Sequence, residues 1–165
     1  MHFLTPEFGL MINTFVPTSV FWVISAVAVT LLAFKQKKFE ALIFTISLVA
    51  TVSTVLVLKF IFEVPRSADA LIQLDSYAFP SAHSASAMFL ATMLLWLYYR
   101  FSHQNIQRSV IAAVFLFPFA LLIGYSRILI GVHTPVQVLA GFGVGIIVPL
   151  CVIYFATKFK SGILF

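Results

Sequence analysis

Three cationic side chains and two histidines stand out in a sequence that has little other polarity. They are Lys59, Arg66, His83, Arg127 and His133. An arginine binds phosphate through two parallel hydrogen bonds, and a lysine binds it as a point charge. A neutral imidazole can attack phosphorus, and a protonated imidazole can donate to the leaving oxygen. If the five side chains meet, they offer in-line transfer of a phosphoryl group stabilised by fixed positive charge.

The stretch 79–84, which reads Phe-Pro-Ser-Ala-His-Ser, predicts a helix start beside these residues. Pro80 stops the incoming chain from being helical, and Ser81 is suited to the N-cap position. The free N–H groups near Ala82 and His83 would then face an anion, together with the positive end of the helix dipole. A pure capping role for Ser81 stays open as an alternative.

The other polar residues also have structural interpretations. Lys59 and Glu63 are four residues apart and could form an ordinary helical ion pair. Arg127 could be an anchor that extends its charge to the membrane surface. Either histidine could be a solvated or structural residue without a catalytic role.

Composition limits the kinds of protein that could carry this chemistry. The 165 residues are 62% hydrophobic and 9% charged, whereas a soluble domain carries about 25% charged residues. This excludes a soluble enzyme, a disordered chain and a basic nucleic-acid binder, despite the net charge of +5. The single cysteine, Cys151, allows no internal disulfide and no cysteine metal site. We expect one integral membrane domain over residues 1–165, with its motifs within 59–137.

Hydropathy predicts an all-α polytopic bundle of five transmembrane helices. About 20 apolar residues cross a bilayer, and a span in lipid must form all its backbone hydrogen bonds within itself, as a helix does. The predicted spans cover about 16–34, 41–62, 84–99, 109–125 and 135–157. Residues 1–15 fit a short N-terminal interfacial helix better than a sixth span. Inside the last span, Gly141 and Gly145 predict close helix packing rather than a phosphate loop.

The distribution of positive charge predicts the topology. Seven of the ten basic residues fall on one side of the five-span arrangement, which the positive-inside rule makes cytoplasmic. They are Lys35, Lys37, Lys38, Arg100, Arg108, Lys158 and Lys160. The N-terminus is then outside and the C-terminus cytoplasmic. The outer side then holds all five chemistry-bearing residues, Lys59, Arg66, His83, Arg127 and His133. Unpaired charge on that side indicates function.

This interpretation requires no metal and no other cofactor. A divalent cation would need carboxylate ligands, and the cationic cluster would repel it. The acids nearby are Glu63, Asp69 and Asp75, which are too few and too confined to loops to neutralise every cation.

Three ordered motifs resemble the signatures of the type 2 phosphatidic acid phosphatase (PAP2) superfamily. They are Lys59-x6-Arg66, Pro80-Ser81-Ala82-His83 and Ser126-Arg127-x5-His133. The resemblance implies that His133 is the nucleophile, which becomes a phosphohistidine, and that His83 is the general acid. It also implies a set of groups that hold the phosphate, namely Lys59, Arg66, Ser81, Arg127 and the backbone N–H groups around Ala82.

The sequence departs from the family pattern at three positions. Ser67 stands where Pro usually follows the first arginine, and Ala82 replaces the usual Gly, which leaves the backbone donor in place. Gln137 stands where the third motif usually ends in Asp. The glucose-6-phosphatase branch of the superfamily also carries Gln at this position. That Asp holds the nucleophilic histidine in the correct tautomer. The Gln137 oxygen can still accept the Nδ1 proton of His133, but it cannot stabilise positive charge as a carboxylate does.

The resemblance implies a phosphatase that hydrolyses the phosphomonoester or diphosphate headgroup of a membrane lipid. Its partners are the lipid phosphate and the bilayer, with no nucleic acid, and its expected location is a bacterial inner membrane with a periplasmic site. We expect undecaprenyl diphosphate or a lipid A phosphate ahead of phosphatidylglycerol phosphate or phosphatidic acid. The substrate and the oligomeric state stay open.

Three other functions remain as alternatives. A phosphotransferase would use the same histidine chemistry with an acceptor other than water. A non-catalytic binder of lipid phosphate is consistent with Gln137. A small anion transporter or channel would need polar residues through the middle of the membrane, where the predicted spans show mainly isolated Ser and Thr.

Overall fold

The computed structural model describes residues 5–162, with side chains described to residue 159. This part of the chain forms six α-helices and no β-strand. The helices are α1 (Pro6–Phe15), α2 (Thr18–Phe34), α3 (Lys38–Phe62), α4 (Ala82–Phe101), α5 (Ile106–Leu129) and α6 (Pro135–Gly162). Residues 1–4 of the expected interfacial helix, and the side chain of Lys160 among the expected cytoplasmic cations, lie outside the described part.

The all-α prediction is confirmed for the described residues, and α2–α6 coincide with the five predicted apolar segments. One difference is in α5, which continues about one turn past the predicted end near Tyr125. The apolar run stops at Tyr125, but the helix continues through Ser126 and Arg127 to Leu129. Arg127 therefore projects from the last turn of a helix and not from a loop.

The expectation of five membrane crossings is not confirmed. By length and composition, α3, α5 and the Pro135–Phe159 part of α6 can each cross a membrane. The pair α1 and α2, joined at a bend of 40°, makes a fourth crossing if it counts as one span. The predicted third span, α4, is not among them. Its buried face carries small and polar residues such as Ser84 and Thr92, which a helix covered by other helices can accommodate without contacting lipid.

Helix α4 lies at the centre of the bundle, where it contacts α2, α3, α5 and α6. Its closest approach is to α6. A Cβ atom at Gly141 would lie 2.5 Å from the carbonyl oxygen of Ser81, and one at Gly145 would lie 2.5 Å from that of Ala85. Close helix packing at these glycines is thus confirmed, and it fixes the start of α4 against the start of α6.

One end of the bundle brings together the last turns of α3 and α5 and the first turns of α4 and α6. We call this the site end. The segment 63–81 crosses it and is held by backbone bonds: Leu71 N–H donates to Ile130 O (3.0 Å), and Ser81 N–H donates to Gln137 O (3.0 Å). The predicted convergence of these four helix ends is therefore observed.

A short helix forms near the N-terminus, as expected. Pro6 occupies its first turn, and the Thr5 hydroxyl accepts from the N–H of Phe8 (3.5 Å). The helix packs on the end of α5, so closely that a Cβ at Gly9 would lie 2.6 Å from Cγ2 of Ile130. Its location at the membrane interface stays a prediction.

Candidate active site

His133 lies in the short loop between α5 and α6, and its side chain is buried. Its Nδ1 is 3.1 Å from Oε1 of Gln137, one helical turn along the chain, and the same Oε1 accepts from the backbone N–H of Thr134 (3.1 Å). Because a backbone N–H can only donate, it must face the amide oxygen. Nδ1 of His133 therefore carries the proton, and Nε2 is left with a free electron pair.

Arg66 contacts that free nitrogen. Its Nη1 lies 3.3 Å from Nε2 of His133 and donates to the carbonyl oxygen of Val132 (3.0 Å). A guanidinium only donates, which agrees with the tautomer set by Gln137. Two bonds to Ser76, from Nε to the backbone oxygen (2.7 Å) and from Nη2 to Oγ (3.0 Å), hold the far side of the guanidinium.

The surroundings keep the His133 imidazole neutral. Burial, followed by the positive charge of Arg66, lowers the pKa of His133 to about 4, and Lys59 acts in the same direction. The hydrogen bond to Gln137 opposes these effects by raising the pKa. At neutral pH the ring is thus an unprotonated base, which is the form that a nucleophile requires.

Lys59 projects from the last turn of α3 and is buried. Its Nζ donates to the backbone oxygen of Tyr77 in the crossing segment. The Lys59–Glu63 ion pair that the sequence left open does not form. Glu63 ends α3 in the left-handed conformation (φ 44°), and its carboxylate instead raises the pKa of Tyr77.

Arg127 is the largest fully buried side chain among the described residues, with 1% exposure. Its Nε and Nη2 donate to Oγ of Ser126 (3.1 and 3.0 Å), and its Nη1 donates to Oδ1 of Asn13 in α1 (2.7 Å). Both partners are neutral, so the guanidinium keeps its full charge. The buried position also excludes the sequence alternative of an anchor that reaches to the membrane surface.

The start of α4 has the predicted capped geometry. The Ser81 hydroxyl accepts from the N–H and from Oγ of Ser84 (3.4 and 2.9 Å). The N–H groups of Ala82 and His83 fall in the first turn, where a helix offers no backbone partner. The His83 imidazole lies 3.0 Å (Nε2) and 3.2 Å (Nδ1) from the hydroxyl of Thr18 in α2. Capping by Ser81 is thus observed, whereas its contact with phosphate stays a prediction.

The five chemistry-bearing side chains lie close enough to interact electrostatically at the site end. His83 interacts with Arg127, His133, Arg66 and Lys59. In the described part of the chain, none of the three cations has a carboxylate within 4.0 Å; the ion pair that forms there joins Arg100 and Glu40 at the opposite end (3.0 Å). Buried charge is costly without compensation, so this arrangement favours a bound anion.

Two cavities adjoin the cluster. One of about 570 Å³ lies between α3 and the crossing segment. Its lining comprises Leu56, Lys59, Phe60, Pro65, Arg66, Leu74, Asp75, Ser76 and Tyr77. A smaller cavity of about 90 Å³ lies between α2, α3 and α4 and also reaches Lys59. His83, Arg127 and His133 line neither cavity, so neither of these two cavities is lined by all five side chains.

The sequence predictions did not include several residues that hold the site. Asn13 and Thr18 contact Arg127 and His83. Ser76 holds Arg66, and the N–H of Thr134 fixes the Gln137 amide. Asn13 had one weak signal in the sequence, since it is an amide within an otherwise apolar stretch. The others resemble ordinary loop or helix residues.

The family model of the PAP2 superfamily matches residues 40–161. A search of curated proteins found no match.

Two crystal structures share the fold. One is the crystal structure of the first transmembrane PAP2 type phosphatidylglycerolphosphate phosphatase from Bacillus subtilis. The two chains are 23% identical, the match covers 93% of this chain and 77% of that one, and the TM-score is 0.80. The second is that of Aquifex aeolicus LpxE, with 27% identity over 93% of this chain and 88% of that one, and a TM-score of 0.70.

The family model covers about three quarters of the chain and includes every residue of the three motifs. The three apolar helices that can each cross a bilayer agree with it. The resemblance seen in the sequence is confirmed: the chain is an integral membrane protein and belongs to the PAP2 superfamily.

Proposed function

We propose that the protein is a membrane lipid phosphatase that works through a phosphohistidine on His133. The observation that carries this proposal is a buried imidazole with an unprotonated Nε2, which belongs to a cluster with three cations that have no carboxylate partner in the described residues. A multiply charged anion would compensate these cations, and phosphate has the geometry that arginine and lysine bind.

In the first step, the Nε2 lone pair of His133 attacks phosphorus and the bond to the lipid oxygen breaks. Arg66, whose Nη1 lies 3.3 Å from Nε2, turns its N–H groups to the phosphoryl oxygens. Arg127, Lys59 and the first-turn N–H groups of α4 hold the remaining negative charge. His83, which takes up a proton when the negative charge of the bound phosphate offsets the surrounding cations, donates that proton to the leaving lipid oxygen.

In the second step, water replaces the lipid. The now neutral His83 accepts a proton from the water, whose oxygen attacks phosphorus while the P–N bond to His133 breaks. Inorganic phosphate leaves, and both imidazoles return to their starting protonation states. These steps need no metal, since the side chains supply the nucleophile, the acid and the positive charge.

A lipid substrate is favoured by the surroundings of the larger cavity. Lys59 and Arg66 line it together with Leu56 and Phe60 of α3, which are 59% and 79% exposed on the outer surface of the bundle. An apolar chain in the bilayer can contact these two side chains while its phosphate reaches the cations. A free, soluble phosphate ester would gain nothing from that apolar wall.

Several lipid phosphates remain candidate substrates. We propose undecaprenyl diphosphate or a lipid A phosphate first, followed by phosphatidylglycerol phosphate and phosphatidic acid. One of the similar structures is a phosphatidylglycerolphosphate phosphatase, which supports keeping that lipid in the set.

We also propose five crossings, with α4 as the central one and the site at the outer face of a bacterial inner membrane. Enclosure of α4 by four other helices supports its crossing despite its lower apolar content. The opposite end of the bundle carries a group of basic residues, which supports a cytoplasmic location for that end. They are Lys35, Lys37, Lys38, Arg100, Arg108 and Lys158.

The decisive experiment measures inorganic phosphate released by the purified protein in detergent, with a chelator present, from each of the four lipids. His133→Ala and Gln137→Asp are assayed in parallel. Release that disappears in His133→Ala and persists with the chelator would support a histidine phosphatase without a metal. A higher rate in Gln137→Asp would indicate that the native amide limits the nucleophile.

Absence of release from all four lipids by a folded protein would refute the phosphatase proposal. Phosphate transfer to an added acceptor lipid would then indicate a phosphotransferase. Binding of lipid phosphate without turnover would indicate a non-catalytic binder.

A further inference from the structure

Two polar side chains of the N-terminal helices reach the candidate active site, although both precede residue 40, where the family match begins. Asn13 in α1 contacts Arg127, and Thr18 at the start of α2 contacts His83. We propose that the α1–α2 pair is a positioning element of the site, in which Thr18 orients His83 and Asn13 orients Arg127. This inference rests on the proposed phosphatase function.

Thr18 suits a histidine that must change its protonation state. Its hydroxyl lies within 3.2 Å of both ring nitrogens of His83, and a hydroxyl both donates and accepts. It can therefore accept from one N–H of the ring while the other ring nitrogen gives its proton to the leaving oxygen and later takes one from water. The same partner holds the ring in both steps of the reaction.

His133 is held in a different way, and the contrast supports the assignment. Its Nδ1 faces the oxygen of Gln137, which only accepts, and its Nε2 faces Arg66, which only donates. Those two partners allow a single neutral tautomer, as a nucleophile needs. The structure thus fixes the tautomer of His133, whereas the partner of His83 is compatible with either protonation state of that ring.

Asn13 satisfies one N–H of a buried guanidinium without cancelling its charge. Its Oδ1 lies 2.7 Å from Nη1 of Arg127, and the other partner in the described residues is the hydroxyl of Ser126. A carboxylate at position 13 would make an ion pair and compete with phosphate for the guanidinium. The neutral amide therefore keeps the positive charge available to the substrate.

The break between the two helices allows both contacts. On one continuous helix, residues 13 and 18 would point about 140° apart, because successive residues rotate by about 100°. The helix is interrupted at Val16 and Pro17, where the axis also bends by 40°, and both side chains reach the site. Close packing of Gly9 on Ile130 and Ser126 fixes α1 against the end of α5 and with it the position of Asn13.

The test for Thr18 compares two substrates that share a phosphoryl group and differ in the leaving group. A nitrophenyl phosphate needs little help from an acid, whereas an alkyl lipid phosphate needs protonation. We expect Thr18→Val to lower kcat about 10- to 100-fold for the alkyl phosphate, part of what a general acid contributes, and to leave the aryl phosphate within about threefold. Thr18→Ser should restore the alkyl rate.

The matched control is Thr30→Val, on the same helix, because the Thr30 hydroxyl bonds only to the Ala26 carbonyl among the described residues (2.9 Å) and is exposed. It should change neither rate. Equal losses on both substrates in Thr18→Val, or no rescue by Ser, would show a merely structural role and overturn the assignment. Unchanged rates on both substrates would overturn it as well.

The test for Asn13 uses binding of orthovanadate, a phosphate analogue, which does not depend on turnover. Asn13→Asp should weaken vanadate binding about 10-fold or more, and Asn13→Ala less, with equal effects on aryl and alkyl substrates. Thr14→Val on the same helix is the control, since its hydroxyl bonds to the Leu10 carbonyl (3.0 Å). Vanadate affinity that is unchanged in Asn13→Asp would refute this part of the inference.

The two levels of the proposal can fail separately. If the wild-type protein hydrolyses neither substrate, the phosphatase proposal fails, while vanadate binding still tests Asn13. Nitrogen NMR of histidine-labelled protein then tests Thr18, because Thr18→Val should shift the ring signals of His83 and not those of His133. Unshifted His83 signals would refute the orienting role.

Discussion

Replacing Gln137 with Glu should make His133 a better nucleophile at neutral pH and a worse one in acid. Glu has the same side-chain length as Gln, so a carboxylate oxygen would take the place of Oε1, 3.1 Å from Nδ1 of His133. The new charge stabilises the positive imidazole that develops as the ring attacks phosphorus. The contact with the Thr134 N–H is retained.

The size of the effect follows from the type of hydrogen bond. A neutral bond contributes about 1 kcal/mol and a bond to a charged group about 1.5–3 kcal/mol. A gain of about 1.4 kcal/mol in the attacking step corresponds to roughly a 10-fold faster rate. Gln137→Asp should gain less, because its side chain is shorter by one carbon–carbon bond of about 1.5 Å.

The same charge should lower activity in acid, because it favours the protonated form of His133. The pKa of His133 is about 4, and a neighbouring anion favours the protonated ring. The pKa should therefore rise by about one unit for about 1.4 kcal/mol, while Arg66 and Lys59 still oppose protonation. Protonation removes the nucleophile, so the acidic fall in kcat/KM should begin about one pH unit higher in Gln137→Glu.

The assay is single-turnover formation of the phosphoenzyme, followed from pH 4 to pH 8 by rapid quenching. Gln137→Leu is the matched control, because it removes the acceptor and leaves two N–H groups unpaired; it should be at least about 100-fold slower than wild type. A Gln137→Glu protein that folds, is no faster at pH 8 and keeps the wild-type acidic limb would refute the reasoning that this side chain controls the nucleophile.

Three further predictions concern the bundle and the cations. Gly141→Ala should destabilise the protein by about 1–3 kcal/mol through overpacking and lower its melting temperature in detergent. The control Gly143→Ala, with nothing within 4 Å of its new Cβ, should keep the wild-type melting temperature, and equal melting temperatures of the two variants would contradict the packing argument. Arg127→Lys should lower kcat/KM about 100-fold while the protein stays folded, because a lysine cannot replace the bidentate guanidinium; steady-state kinetics with wild-type-like rates would count against a phosphate-binding role. Arg66→Gln removes a cation that lowers the pKa of His133, so besides losing activity the variant should show the acidic limb of its kcat/KM profile at higher pH. A limb that stays at the wild-type pH would contradict that electrostatic coupling.

Hydropathy predicted the helices of this chain well, because a segment in lipid must satisfy its own backbone hydrogen bonds. It was less reliable where a helix is covered by protein or ends in polar residues. The end of α5 extends past Tyr125 because Ser126 and Arg127 have partners inside the protein. As a whole, α4 is too polar for its crossing to be assigned from composition.

The site was predictable where its contacts are local. The family resemblance assigned position 137 to a partner of His133, the four-residue spacing allowed the hydrogen bond, and the structure confirms it. The contacts of Asn13 and Thr18 join residues that are 114 and 65 positions apart. Such contacts depend on how α1 and α2 pack on the bundle, and no periodicity in the sequence encodes that packing.

The low apolar content of α4 has a consequence for how the chain is made. Translocating machinery inserts a segment according to its apolar character, so a crossing α4 must enter the membrane with the help of a neighbour such as α3, which is already synthesised. The partner that fits most closely against its start, α6 with Gly141 and Gly145, is synthesised after both α4 and α5. The candidate site is therefore completed only once α6 has been synthesised, and a chain shortened before α6 should carry no partial activity.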